Sequence, residues 1–103
     1  MGKYVCARPI HPGEILKEEI EYRGISQSKL AKQMGMSYKM LNHILNEHRP
    51  LTTQTAMLFE AVLGISAQLL INMQSEYNLR IASQDKSFSK RLAEIRKVAS
   101  VAL

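Results

Sequence analysis

A regular alternation of helix-capping residues and glycines sets the tightest limit on what this chain can fold into. Pro12 suits the first turn of a helix, where a missing N–H costs nothing, and Glu14 complements the positive end of its dipole. That helix is expected to reach Tyr22 or Arg23, with Gly24 ending it. Ser26 then caps a short helix over Gln27–Met34, and Gly35 ends it. Ser37 caps a third helix from Tyr38 to about Asn46, and Pro50 blocks its continuation. Thr52 caps a fourth, Thr53 to Leu63, stopped by Gly64, and Ser66 caps a fifth from Ala67 to about Tyr77. The only candidate extended pieces are Tyr4-Val5 and Leu79-Arg80-Ile81.

The apolar residues fall in step with this punctuation. Ile15, Leu16 and Ile20 share one helical face, and Leu30, Ala31 and Met34 share a second. Leu41, Ile44 and Leu45 form a third, Ala56, Phe59 and Leu63 a fourth, and Leu69, Leu70, Met73 and Tyr77 a fifth. Five short helices make one small all-α domain over residues 9–81. Residues 82–103 contain no Gly or Pro, and Phe88, Leu92, Ile95, Ala99 and Ala102 recur at steps of 4, 3, 4 and 3. That spacing predicts an additional C-terminal amphipathic helix, entered near Ser83–Asp85, which packs back on the domain or on a second subunit; a membrane-surface helix, a second DNA contact and a toxin contact are the alternatives.

Composition limits function mainly by where charge sits. The net charge is +5. Residues 26–49 carry Lys29, Lys32, Lys39 and Arg49 against Glu47, net +3, and residues 80–103 carry net +4. The first helix, with Glu14, Glu18, Glu19 and Glu21 against Lys17 and Arg23, is acidic at net −2. A basic reading segment attracts phosphate and speeds encounter with nucleic acid. A single cysteine, Cys6, leaves no internal disulfide or multi-cysteine zinc site. No apolar run approaches a membrane span, and no secretory pattern opens the chain, so a cytoplasmic protein without membrane contact is expected. No nucleophile in an activating context, glycine-rich phosphate loop or paired carboxylates point to catalysis, and neither a cofactor nor a metal is expected. The acidic residues of the first helix are read as a solvated face, or as a contact for a basic protein.

The segment from Ser26 to Asn46 meets each requirement of a helix-turn-helix. The residue at a steep helix crossing must be small, and Ala31 stands there; the sharp turn needs a residue that tolerates positive φ, and Gly35 supplies it. Leu30, Met34, Met36, Leu41 and Ile44 occupy the positions that must be buried. Outward on the second motif helix remain Tyr38, Lys39, Met40, Asn42 and His43, behind the capping Ser37. A recognition helix aims its N-terminal residues at base edges, so these are the candidate readers of double-stranded DNA. Lys39 can donate to guanine O6/N7, and Tyr38 or Met40 can meet a thymine methyl. Asn42 can read adenine or bond the turn backbone. Gln27 and Ser28 open the first motif helix, where a phosphate or first-base contact falls.

These residues also carry a resemblance. His11-Pro12-Gly13-Glu14-Ile15-Leu16, Ser26-Gln27-x-x-Leu30-Ala31, Leu41-Asn42-x-Ile44, Arg49-x-Leu51-Thr52-x-x-Thr55-Ala56, Leu63-Gly64-x-Ser66 and Asn72-Met73-Gln74-x-x-Tyr77-x-Leu79 together resemble the HigA-type antitoxins, also known as virulence-associated protein I. These form a branch of the lambda-repressor-like helix-turn-helix family. The resemblance covers about residues 9–81 and departs from the family pattern at Glu47, usually Gly, and at Leu70, often Trp. It implies a five-helix lambda-repressor-like domain, with Arg49 and Thr52 clamping phosphate. It further implies a homodimer that represses its own operon and neutralises a HigB-type mRNA-cleaving toxin. A repressor without a toxin partner and a protein-interaction module on the same fold are the alternatives.

Overall fold

The computed structural model describes residues 8–102. Cys6 and the Tyr4-Val5 pair lie outside the described residues. Among the described residues six α-helices follow one another: α1 (Pro12–Tyr22), α2 (Gln27–Met34), α3 (Tyr38–Leu45), α4 (Thr53–Leu63), α5 (Ala67–Gln84) and α6 (Lys86–Ala102). No strand occurs among the described residues.

Local chemistry starts each helix. The hydroxyls of Ser26, Ser37, Thr52 and Ser66 accept the backbone N–H of Lys29, Met40, Thr55 and Leu69 at 3.3, 3.0, 3.2 and 3.2 Å. Each bond satisfies a donor that the helix leaves without a partner. Asp85 does the same for α6, its Oδ1 accepting the N–H of Phe88 at 3.0 Å. The cap of α1 is unusual: the Nδ1 of His11 accepts the N–H of Gly13 at 2.9 Å.

One core holds α1 to α5 together. Phe59, Leu16, Ile20, Leu30, Leu41, Leu45 and Leu70 are wholly buried, and Ala31, Met34, Ile44, Leu51, Ala56 and Leu63 complete the cluster. Burial of this kind contributes about 1.5–3 kcal/mol per large side chain and is what holds helices too short to persist alone. Leu70 is fully buried at the position where Trp is often found in the resembled family. Ile15 and Leu69 do not join the core: they are 37% and 53% exposed. A stripe wide enough to face the core places its edge residues at the solvent boundary.

Two expectations are corrected at the C-terminal end. Leu79-Arg80-Ile81 is not extended, and α5 does not stop at Tyr77 but runs to Gln84. No glycine or proline interrupts it, and i,i+4 pairs support the added turns. Gln74 Nε2 donates to Asn78 Oδ1 at 3.0 Å, and Arg80 lies 3.6 Å from the Glu76 carboxylate. The chain then passes through Asp85 alone into α6, which contains no buried residue. This last helix gives the molecule extents of 57 × 31 × 21 Å and a radius of gyration of 17.5 Å. A compact chain of this length has about 13 Å.

Candidate nucleic-acid interface

The turn between α2 and α3 is built on Gly35, whose φ of 69° lies in the left-handed region that glycine enters without strain. Its N–H bonds the carbonyl of Lys32 at 3.2 Å, and Met36 N–H bonds that of Ala31 at 3.0 Å. Leu41, Ile44 and Leu45 turn into the core, and this fixes the rotation of α3. The opposite face follows: Tyr38, Lys39 and Met40 are exposed. Ser37 is spent on the cap, with its surface open to solvent.

The remaining candidates divide. Ser28 is exposed on the first turn of α2. Gln27 is half-buried, and its Oε1 accepts from Asn42 Nδ2 at 3.3 Å. Asn42 therefore turns toward α2 and not toward the turn backbone. The bond belongs to a chain across three helices. Lys17 Nζ donates to Asn46 Oδ1 at 3.0 Å, and Asn46 Nδ2 donates to the Asn42 carbonyl at 2.9 Å. With its oxygen occupied, Gln27 keeps its amide N–H groups as donors at the start of α2. His43 is not open to solvent as its period implies: it is half-buried, with the ring of His48 at a centroid distance of 5.8 Å. The His48 N–H bonds the His43 carbonyl at 2.8 Å as α3 ends, which brings the rings together. Among the described residues no group of three His, Cys, Asp or Glu side chains gathers as a metal site would.

Arg49 is exposed in the α3–α4 loop, and Thr52 caps α4 beside exposed Thr53 and Gln54. No carboxylate stands in the first turn of α2, α3 or α4, so the positive ends of these helices are not neutralised by the chain itself. Lys29, Lys32, Lys39 and Arg49 form no salt bridge with any described residue, whereas Arg8 and Arg23 pair with Glu14 and Glu19 at 2.9 and 2.8 Å.

The loop carrying Arg49 is held from behind by residues that sequence reasoning gave no role. Buried Gln74 accepts the N–H of Leu51 through Oε1 at 2.8 Å. His11 is also buried, edge-on to Tyr77 at a centroid distance of 4.9 Å. Burial pushes the His11 pKa below 6.5; the Glu47 carboxylate and a hydrogen bond to the Arg49 backbone oppose the shift without reversing it. The only advance signal was the placement of a histidine directly before Pro12. A lowered folded pKa means that the unfolded chain binds the proton more tightly. The stability due to neutral His11 is thus present above pH 6.5 and is lost as pH falls through the folded value. His11→Asn, which keeps a capping acceptor, is expected to flatten the fall in melting temperature between pH 7 and pH 5. A variant that melts with the wild-type pH dependence would remove His11 as its source.

Glu47 is the one non-glycine residue at positive φ among those described, at 65°. Left-handed backbone costs a side-chain-bearing residue about 1–2 kcal/mol, which explains why glycine is common here in the resembled family. Glu47→Gly is expected to gain up to about 1 kcal/mol, the relief exceeding the added entropy of the unfolded chain. Equilibrium urea unfolding checks this; an unchanged or lower midpoint would show that the site is not strained.

A glycine-turned pair of short helices, the second with an exposed basic N-terminal face, defines a helix-turn-helix protein. The chain belongs to the helix-turn-helix family, whose model matches residues 16–70. It is 44% identical over 78 residues to virulence-associated protein I of Dichelobacter nodosus, covering 75% of this chain and 72% of that protein. Its fold is similar to that of an addiction module antidote protein of the HigA family from Coxiella burnetii (TM-score 0.74, 33% identity, 84% of this chain and 94% of that one). The antitoxin HigA of Pseudomonas aeruginosa, solved with the higBA promoter, is similar at TM-score 0.74 and 36% identity, over 82% of this chain and 91% of that one. No helix among the described residues is long and apolar enough to cross a membrane.

Proposed function

We propose that this protein is the antitoxin of a toxin–antitoxin pair and a sequence-specific repressor of its own operon. One observation carries the DNA-binding part: Tyr38, Lys39 and Met40 stand exposed on α3 while Leu41, Ile44 and Leu45 of that helix are committed to the core. Apolar and cationic side chains presented together at a helix N-terminus match the methyl groups and acceptors of a major groove. Lys39 reads a base edge, with Tyr38 and Met40 against neighbouring bases. Gln27 and Ser28 bond the backbone at the start of α2, and Asn42 holds Gln27 in place. Arg49 and Thr52 clamp a phosphate on the far side of α3, and His43 borders the contact. Ser37 contributes through its cap and its exposed position.

A homodimer sets two copies of α3 about 34 Å apart over a pseudo-palindromic operator. The toxin role is supported by the relatives from Coxiella burnetii and Pseudomonas aeruginosa, which are antidote and antitoxin proteins. The matching partner is a small basic ribonuclease of the HigB type in the cytoplasm, for which the acidic face of α1 has complementary charge.

Two assays test the proposal. The chain should bind duplex from its own upstream region at least about 1,000-fold more tightly than random duplex at fixed salt. It should also co-purify with the product of the neighbouring gene and restore translation blocked by that product. Operator binding without a neighbouring partner would leave a stand-alone repressor. A partner without operator preference would leave an interaction module.

A further inference from the structure

The helix α6 is an arm without a partner. None of its 17 residues is fully buried; Ser89, Leu92 and Ala99 are partly buried, and Phe88, Ile95 and Val98 are 43%, 53% and 66% exposed. A lone helix of this length is marginal in water, and most helical stability comes from packing an apolar face. The stripe Phe88, Leu92, Ile95, Ala99, Ala102 has the 4-3-4-3 spacing with which one helix packs along another.

We propose that α6 pairs with α6 of a second copy in antiparallel orientation, in the register that sets Phe88 against the second copy's Ala99 and Leu92 against its Ile95. This rests on the dimeric reading above and specifies its interface. Charge selects the arrangement. The residues flanking the stripe are Ser89 and Arg96 on one side and Arg91 and Val98 on the other. In a parallel pair, each Arg91 would face the second copy's Arg96, a like-charge contact made twice. In the proposed register, Arg91 faces Val98, whose methyl groups its aliphatic stem covers, and Arg96 faces Ser89. Sliding the pair by one heptad in one direction opposes Arg96 to its own copy; sliding it by one heptad in the other opposes Arg91 to its own copy. Of these three registers only the proposed one avoids both. It also sets the bulky Phe88 against a small residue at each end and leaves Lys86, Lys90, Glu94 and Lys97 outside the contact. The pairing is self-complementary, as a two-fold interface requires.

The test uses the full chain. Ile95→Asp is expected to halve the mass measured by light scattering while the main thermal transition stays in place, because Ile95 is exposed and no residue of α6 belongs to the domain core. In a Cys6→Ser background, the double variant Phe88→Cys, Ala99→Cys is expected to oxidise to a covalent dimer, whereas Phe88→Cys alone is not. An Ile95→Asp chain that stays dimeric overturns the pairing and places the two-fold contact elsewhere or gives α6 to another partner. Cross-linking by Phe88→Cys alone overturns the antiparallel register. A wild-type chain that is monomeric both free and on operator duplex overturns the dimeric reading itself.

Discussion

Gly13→Ala is expected to destabilise the protein by about 2–3 kcal/mol, because a methyl forced into a packed contact costs that much when the neighbours are rigid. In a domain of this size the melting temperature should drop by about 10–20 °C. The reason lies in how α1 meets α3. A Cβ at Gly13 would overlap the carbonyl oxygen of Ile44 and stand 3.0 Å from Nδ1 of His11. The first is backbone, in the last turn of α3, and its oxygen already accepts the N–H of Glu47 at 3.1 Å. The second is the cap of α1 itself. Neither can rotate away as a flexible side chain would, so α1 must retreat from α3. Differential scanning calorimetry measures the loss; a midpoint within about 2 °C of wild type, below the shift from even half a kcal/mol, would show that the two helices separate freely.

Lys39→Ala is expected to weaken operator binding by about 1–3 kcal/mol, roughly 5- to 150-fold, without altering the melt. Lys39 is exposed, caps nothing and pairs with no described carboxylate, so its removal leaves no buried group unsatisfied. Titrating labelled operator duplex against wild type and variant, each with a scrambled duplex alongside, separates two roles. A base-reading lysine loses affinity mainly for the operator. A phosphate contact loses affinity equally for both and lowers the salt slope by about one. Unchanged operator affinity would remove Lys39 from the interface.

The parts of the fold that could be read in advance are those that local chemistry decides. Ser26, Ser37, Thr52 and Ser66 announce helix starts because a side-chain oxygen reaches a donor two or three residues on, whatever the rest of the chain does. Gly35 announces the turn for the same local reason. The outward face of α3 followed by subtraction, once Leu41, Ile44 and Leu45 were assigned to the core. What stayed hidden depends on residues distant in sequence. Nothing near Asn42 states that Gln27, fifteen positions earlier, will take its amide. Gln74 holds the N–H of Leu51 across 23 residues, and the near-contact of Gly13 with Ile44 spans the motif. The overlong α5 was missed for a different reason: Leu79-Arg80-Ile81 alternates like a strand, and an alternating triplet without a breaker continues whatever precedes it.

The one-residue joint at Asp85 has a consequence for how such a protein changes its target. If the arms are the shared axle of the pair, each reading head is fastened to that axle through a single residue with no slack. Removing or adding one residue in the last turn of α5 would swing the head by about 100° and move it about 1.5 Å along the axis. The recognition helix would keep every side chain and still present them to a different stretch of groove. The separation and phase of the two half-sites would then be encoded at the joint, apart from any bases that α3 reads. Operator spacing and operator sequence can then drift independently, one by insertion or deletion near Asp85 and the other by substitution in α3.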